Sequence, residues 1–558
     1  MKHPTTKKAR ALATAGLAGS LVVSLSAATY GQTAARAPRT PAPPAGPGGT
    51  ARLDGTASSA APTSLSQIPF AVKAPAIPGA PGLPGPVAGP ASPSANMGIL
   101  SVQPDQGPVG TPVTVTGKGL PAGASVELTW STSDVTWLLQ PEPGTVNYRG
   151  RASVDLNTVL TTVTAGPQGQ ISASFKIPQD WGGVHDIYAV VNGVQEDHGG
   201  FMVTRTVSIS PTSGPIGTPV HITYNGLGPT LYTGGASLLY DNHYVGEMMA
   251  NWTRGKAEAT IRATGAVGPH TIQVGDAISF LYMNLQQSPV PYATGGSATF
   301  DVTKDAGRPP ASIDWPVQVA PTVSARTTLQ QGGLAAQDKV TAELASTQGP
   351  VDRPVALTAS GFSSSAPVQV SWATVVGSRV DCKSTCWDFA STPLGTVTPA
   401  NGSLSTSVTV PDGLGGWHVV QLTQGGKLMA QLPFYVQESI VGQGVSSLVL
   451  KEGQPFTIHL KGVGWTQVDN TIAVDYDNSY MGYGCGFNSN GDVVLQMHAT
   501  GAPGTHLIDI YPMLYSLSPS FANTPYGMVP ILTYAQDDPA LALGYHLPSL
   551  HFAITVVK

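Results

Sequence analysis

The chain of 558 residues holds 65 glycines and 49 prolines, about a fifth of its length against roughly 12% in an average protein. Charged residues make up 11% and the net charge is −5, which excludes charge-rich disorder, a coiled coil and the basic footprint of a nucleic-acid binder. Hydrophobic residues at 41% leave material for true cores, and at about 100–200 residues per domain the length admits three to five of them.

Lys7, Lys8 and Arg10 precede an apolar run of small residues from Ala11 to Ala28, with Ser26 and Ala28 placed for a small-x-small cleavage site. Residues 1–28 read as a secretory signal peptide, so the protein is expected to be extracellular, with a cell-surface position open. The competing reading is an uncleaved anchor, since about 18 apolar residues nearly span a bilayer. Residues 29–97 collapse into Pro, Ala, Gly, Ser and Thr, a composition that predicts a disordered spacer with extended stretches.

From Gly98 onward the pattern becomes short alternating runs rich in Val, Thr and Ile, separated by Gly and Pro, as in TPVTVTGKG, PVHITYNG and SLSTSVTVP. Period-two runs at this spacing predict an all-β protein of sandwich units. The opening SVQPDQGPVGTPVTVTGKGL recurs as SISPTSGPIGTPVHITYNGL at 208–227, more loosely as STQGPVDRPVALTASGF at 346–362, and again from Leu448. Four units follow: A (98–205), B (206–304), A′ (340–438) and B′ (439–558, with a long insert), with a linker at 305–339.

The copies sort into a duplicated pair. Gly226, Tyr240, Asp241, Asn242, Tyr244 and His270 of unit B align with Gly462, Tyr476, Asp477, Asn478, Tyr480 and His506 of B′ at a constant offset of 236 residues. Gly107, Pro112, Gly119 and Trp130 of unit A align with Gly349, Pro354, Gly361 and Trp372 of A′ at an offset of 242, and Gly182 and His185 align with Gly415 and His418 after a length change. The repeated GPxGTPV opening resembles the IPT/TIG-type and related bacterial immunoglobulin-like domains of secreted and cell-surface proteins. The resemblance implies tandem immunoglobulin-like β-sandwiches and a surface location, and it names no ligand.

The aligned histidines, one to a unit, are expected to be structural groups at turns entering a late strand, not ligands to a shared metal. For Tyr240, Asp241, Asn242 and Tyr244, and for Tyr476, Asp477, Asn478 and Tyr480, two readings stand. One is a local turn held by Asp and Asn; the other is a ligand surface of tyrosines and hydrogen-bonding polar groups. The insert of B′, with Tyr526 and Tyr534, is either a recognition segment or a cover for sheet edges. Asp537 and Asp538 read as a solvated loop pair. Cys382 and Cys386 are expected to form a local disulfide, and Cys485 is left over.

No GxSxG elbow, HExxH, Walker loop or strand-following GxGxxG is present, so no cofactor, metal or enzyme activity is expected. The expected function is extracellular binding or adhesion, toward a cell-wall or extracellular polysaccharide or a surface protein. A structural subunit of a self-associating fibre or coat is the alternative, and a hydrolase whose site is assembled from distant residues comes third.

Overall fold

The computed structural model describes residues 70–142, 145–230, 233–278, 280–281, 283–284, 286, 295–323, 340–378, 387–442, 448–517 and 525–558. Cys382 and Cys386 lie outside them.

The four units share one strand order. In unit B, Thr206–Ser210, Pro219–Asn225 and Lys256–Arg262 form a three-stranded sheet. It faces a second sheet ordered Ser213–Gly214, Gly296–Val302, Gly268–Ile278, Gly235–Tyr240 and His243–Met249. Neighbours are antiparallel except the short opening strand, which pairs in parallel through Ser213↔Asp301 and Gly214↔Val302. Units A, A′ and B′ repeat this arrangement, so the molecule is a set of immunoglobulin-like β-sandwiches.

The repeated opening has a local physical cause. Gly217 and Gly453 occupy the left-handed region at φ 87° and 79°, where a glycine meets no Cβ penalty. Asp352 takes the same place in A′ at φ 63°, consistent with the tolerance of Asp for this conformation. The threonine after the glycine closes the turn: the hydroxyls of Thr111 and Thr218 donate to Pro108 O and Pro215 O at 2.6 and 2.7 Å. Proline then begins the strand, and alternation sends Val113 and Val115, or Val355 and Leu357, into the core.

Each A unit docks on its B unit through matching contacts. Gly182 N donates to Leu227 O at 2.8 Å in one module, and Gly415 N to Val463 O at 3.0 Å in the other. A Cβ on Gly182 would stand 1.8 Å from Gly226 O, and one on Gly415 would stand 1.6 Å from Gly462 O. These aligned glycines therefore mark close backbone approach between sandwiches.

The two modules also pack together. One hydrophobic cluster takes Trp137 and Val146 from A, Trp252 from B, Val375 and Trp417 from A′, and Trp465, Leu514 and Leu541 from B′. The B′ insert supplies much of it: Ile531, Leu541, Leu543, Tyr545 and Leu547 are all buried there. Asp537 and Asp538 are 0% and 2% exposed, contrary to the solvated pair expected. Asp537 accepts from Trp137 Nε1 at 2.7 Å and Trp252 N at 3.3 Å, and Asp538 caps the turn Pro539–Ala542 through Ala540 N. These donors are what permits the carboxyls to be buried.

Two segments are more ordered than their composition suggested. Phe70–Ala71 pairs with the Ser125–Glu142 strand, and Ser92–Ile99 runs parallel to Val194–Val203. Between them Val72 and Ile77 are buried, so residues 70–97, expected as spacer, belong to the folded body. Prolines are tolerated there because the segment lies on sheet edges and offers carbonyls, as in Val159 N to Pro86 O at 2.9 Å. The described part of the inter-module linker is likewise packed: Ser312–Asp314 adds a strand to unit B′, and Asp305 accepts from Thr505 N and Oγ1.

Candidate functional site

The repeated tyrosine turns are two-residue hairpins with both central residues at positive φ: Asp241 and Asn242 at 50° and 67°, Asp477 and Asn478 at 50° and 57°. This is the twist that matches flanking strands. Tyr240 and Tyr476 are only 2% and 8% exposed. Their hydroxyls donate to Thr264 O and Thr500 O, each at 2.7 Å. His270 and His506 stack on the two rings and bond Asp241 and Asp477 through Nδ1 at 2.5 Å. The second oxygen of each aspartate accepts from a backbone amide, Thr271 N or Leu507 N. All three polar groups of each motif are thus engaged inside the fold.

Of the remaining members, Asn242 is exposed, whereas Tyr244, Asn478 and Tyr480 join units B and B′. Tyr244 meets Tyr480 edge-on at 6.0 Å, Thr264 Oγ1 donates to Asp477 at 2.7 Å, and Asn478 Nδ2 donates to Arg262 O at 2.8 Å. Tyr244 also donates to the buried Glu247, whose carboxyl is pushed up to about 7 by burial. Burial opposes charge on His506, but the hydrogen bond and charge of Asp477 outweigh it and raise its pKa. In the A units the equivalent histidines stack on tryptophans, His185 on Trp130 at 4.2 Å and His418 on Trp372 at 4.9 Å. Burial holds His418 down to about 4.

The same seam holds a denser polar group. Arg262 donates through Nε to Asp509 at 2.7 Å and through Nη2 to Ile508 O and Phe552 O. Asp509 also bonds His551 Nδ1 at 2.5 Å. Tyr534, from the insert, lies 2.6 Å from Ser549 Oγ. Tyr526 sits in the strand Pro525–Pro530, paired with Gly504–Leu517. Cys485 is exposed, its Sγ 3.4 Å from Thr471 Oγ1.

An open polar cleft that sequence reading missed lies on the seven-stranded sheet of unit A. It encloses about 410 Å³ between Ser131, Ser133, Asp155, Asn157, Asp186, Tyr188 and Gln195. Ser133 Oγ donates to Asp155 at 2.6 Å, and Ser131 Oγ accepts from Asp186 N at 2.7 Å. Tyr188 is half-buried, stacked on His198 at 5.0 Å, and both bond the Asp186 carboxylate. Burial and the neighbouring Asp186 raise the Tyr188 pKa, so the phenol remains a donor at neutral pH. A partial signal was present in the alternation of HDIYAV, where Asp186 and Tyr188 face away from the core.

No protein-family model matches the chain, and no curated protein matches it. Among solved structures it is similar to the native α2-macroglobulin of E. coli at TM-score 0.15 and 10% identity, covering 81% of this chain and 30% of that one. It is similar to a putative membrane anchored protein from Corynebacterium diphtheriae at TM-score 0.15 and 12% identity, covering 60% and 89%. Fibronectin(III)-like modules from Clostridium thermocellum match at TM-score 0.11 and 12% identity, covering 34% and 93%. The chain spans under a third of the length of the macroglobulin.

Proposed function

We propose that the protein is an extracellular binding protein that recognises a polyhydroxylated ligand, a polysaccharide, at the cleft of unit A. The observation that carries this reading is the cleft itself, with carboxylates, amides and hydroxyls around the partly exposed Tyr188 ring. Such a set supplies hydrogen-bond partners for sugar hydroxyls and an aromatic face for the sugar ring. Among the described residues no helix is long and apolar enough to cross a membrane. The tyrosine turns are less suited to the role, because Tyr240 and Tyr476 are buried and bonded to backbone. The test is a glycan array and cell-wall pull-down with the full chain, Tyr188→Ala and Asn157→Ala. Loss of the detected binding in both variants, with unchanged melting, supports the reading; saccharide binding that survives both overturns it.

A further inference from the structure

We propose that Ser549, His551 and Asp509 form a nucleophile–base–orienting group able to cleave a short acyl ester at the seam between units B and B′. Ser549 and His551 stand two apart on the strand Ser549–Val557, so both side chains leave the same face of the sheet. Ser549 Oγ lies 3.0 Å from His551 Nε2, and His551 Nδ1 lies 2.5 Å from Asp509 Oδ1. Asp509 comes from the neighbouring strand, where it is directly opposite His551. The order hydroxyl, Nε2, Nδ1, carboxylate is the one that activates a serine, and it is recognised by geometry and not by sequence position.

The group has an opening. A cavity of about 210 Å³ is lined by Arg262, Asp314, Tyr534, Ser549 and His551, with Pro309 and Pro310 at its wall. Asp314 is 61% exposed at the side chain and approaches His551 Nε2 at 3.3 Å, marking the solvent end. Ser549 and His551 are otherwise buried, at 1% and 6%. The volume suits a group the size of an acetyl ester, not a long acyl chain. Arg262 keeps Asp509 ionised and in place, and the Arg262 charge is the first of the influences that hold the Asp509 carboxyl below its usual range against burial. Tyr534, 2.6 Å from Ser549 and pushed up to about 12 by burial, is a protonated donor for an oxyanion.

In the step assigned here, Ser549 Oγ attacks the ester carbonyl while His551 Nε2 takes its proton. The ester C–O bond breaks, the alcohol leaves with the proton from His551, and the acyl group stays on Ser549. A water molecule, deprotonated by His551, then displaces the acyl group as the free acid and restores the hydroxyl. Asp509 is a positioning residue that holds the imidazole.

The test uses the full chain with phenylmethanesulfonyl fluoride and with 4-nitrophenyl acetate. One sulfonyl adduct on the peptide containing Ser549 is expected, with acetate ester cleavage that falls about 100-fold in Ser549→Ala and in His551→Gln. The adduct is mapped on the unsubstituted protein, so the result does not depend on how a variant folds. Absence of an adduct at Ser549, or equal cleavage by a Ser549→Ala protein that melts like the parent, overturns the proposal.

Discussion

At the residue scale, the repeated glycines were legible as repeats but their purpose was not, because a close approach between two sandwiches leaves no mark beyond the missing side chain. Gly182→Ala and Gly415→Ala each force a methyl into a carbonyl oxygen of the neighbouring unit. Each is expected to cost about 1–3 kcal/mol or more and to lower the melting temperature measured by calorimetry. The seam arginine is sharper still. Arg262→Ala leaves the buried Asp509 carboxylate with His551 as its remaining side-chain partner and without its arginine, and a loss of about 3–5 kcal/mol is expected in denaturant unfolding. Burial raises Glu247, Asp537 and Asp538 to about 7 and Glu438 to about 8. The folded state then binds more protons than the unfolded one between the ordinary carboxyl range and those values, so stability falls as pH rises through that window. His418 and His546, both lowered by burial, act oppositely and lose stability as pH drops below 6.5, but they are outnumbered by the raised carboxyls, which include Asp475 and Asp276 as well. The melting temperature is therefore expected to be higher near pH 5 than near pH 8, and Asp537→Asn to flatten the difference.

At the element scale, the strands were readable because one face of each is buried and the other wet, which writes a period of two into the sequence. The same reasoning could not place the B′ insert or residues 70–97. The apolar residues between Ile531 and Leu547 follow no period because nearly all of them are enclosed, and Val72 and Ile77 are diluted among prolines and alanines. The unit A cleft was hidden for a related reason, since its residues come from four strands whose pairing spacing alone does not reveal. A chain beginning at residue 98 loses the Phe70–Ala71 pairing and the Ser92 and Pro93 half of the Ser92–Ile99 pairing, and exposes the surface under Val72. It is expected to melt lower than a chain beginning at residue 70, and equal melting temperatures would show that this segment adds nothing.

At the scale of the whole molecule, the duplicated two-unit module was legible from constant offsets, whereas the meeting of the two modules was not. An array of repeats suggests units strung apart, yet the shared cluster around Trp137, Trp252, Trp417 and Trp465 and the Arg262–Asp509 pair tie them into one body. The polar cleft on unit A and the seam between B and B′ are held at fixed positions by that body, as a site on a rigid scaffold requires. Small-angle X-ray scattering of residues 70–558 tests this most directly. Four sandwiches around a common core predict a radius of gyration of about 23 Å, whereas four units in a row, each with a radius of about 13 Å, would give a value near ~40 Å and contradict it.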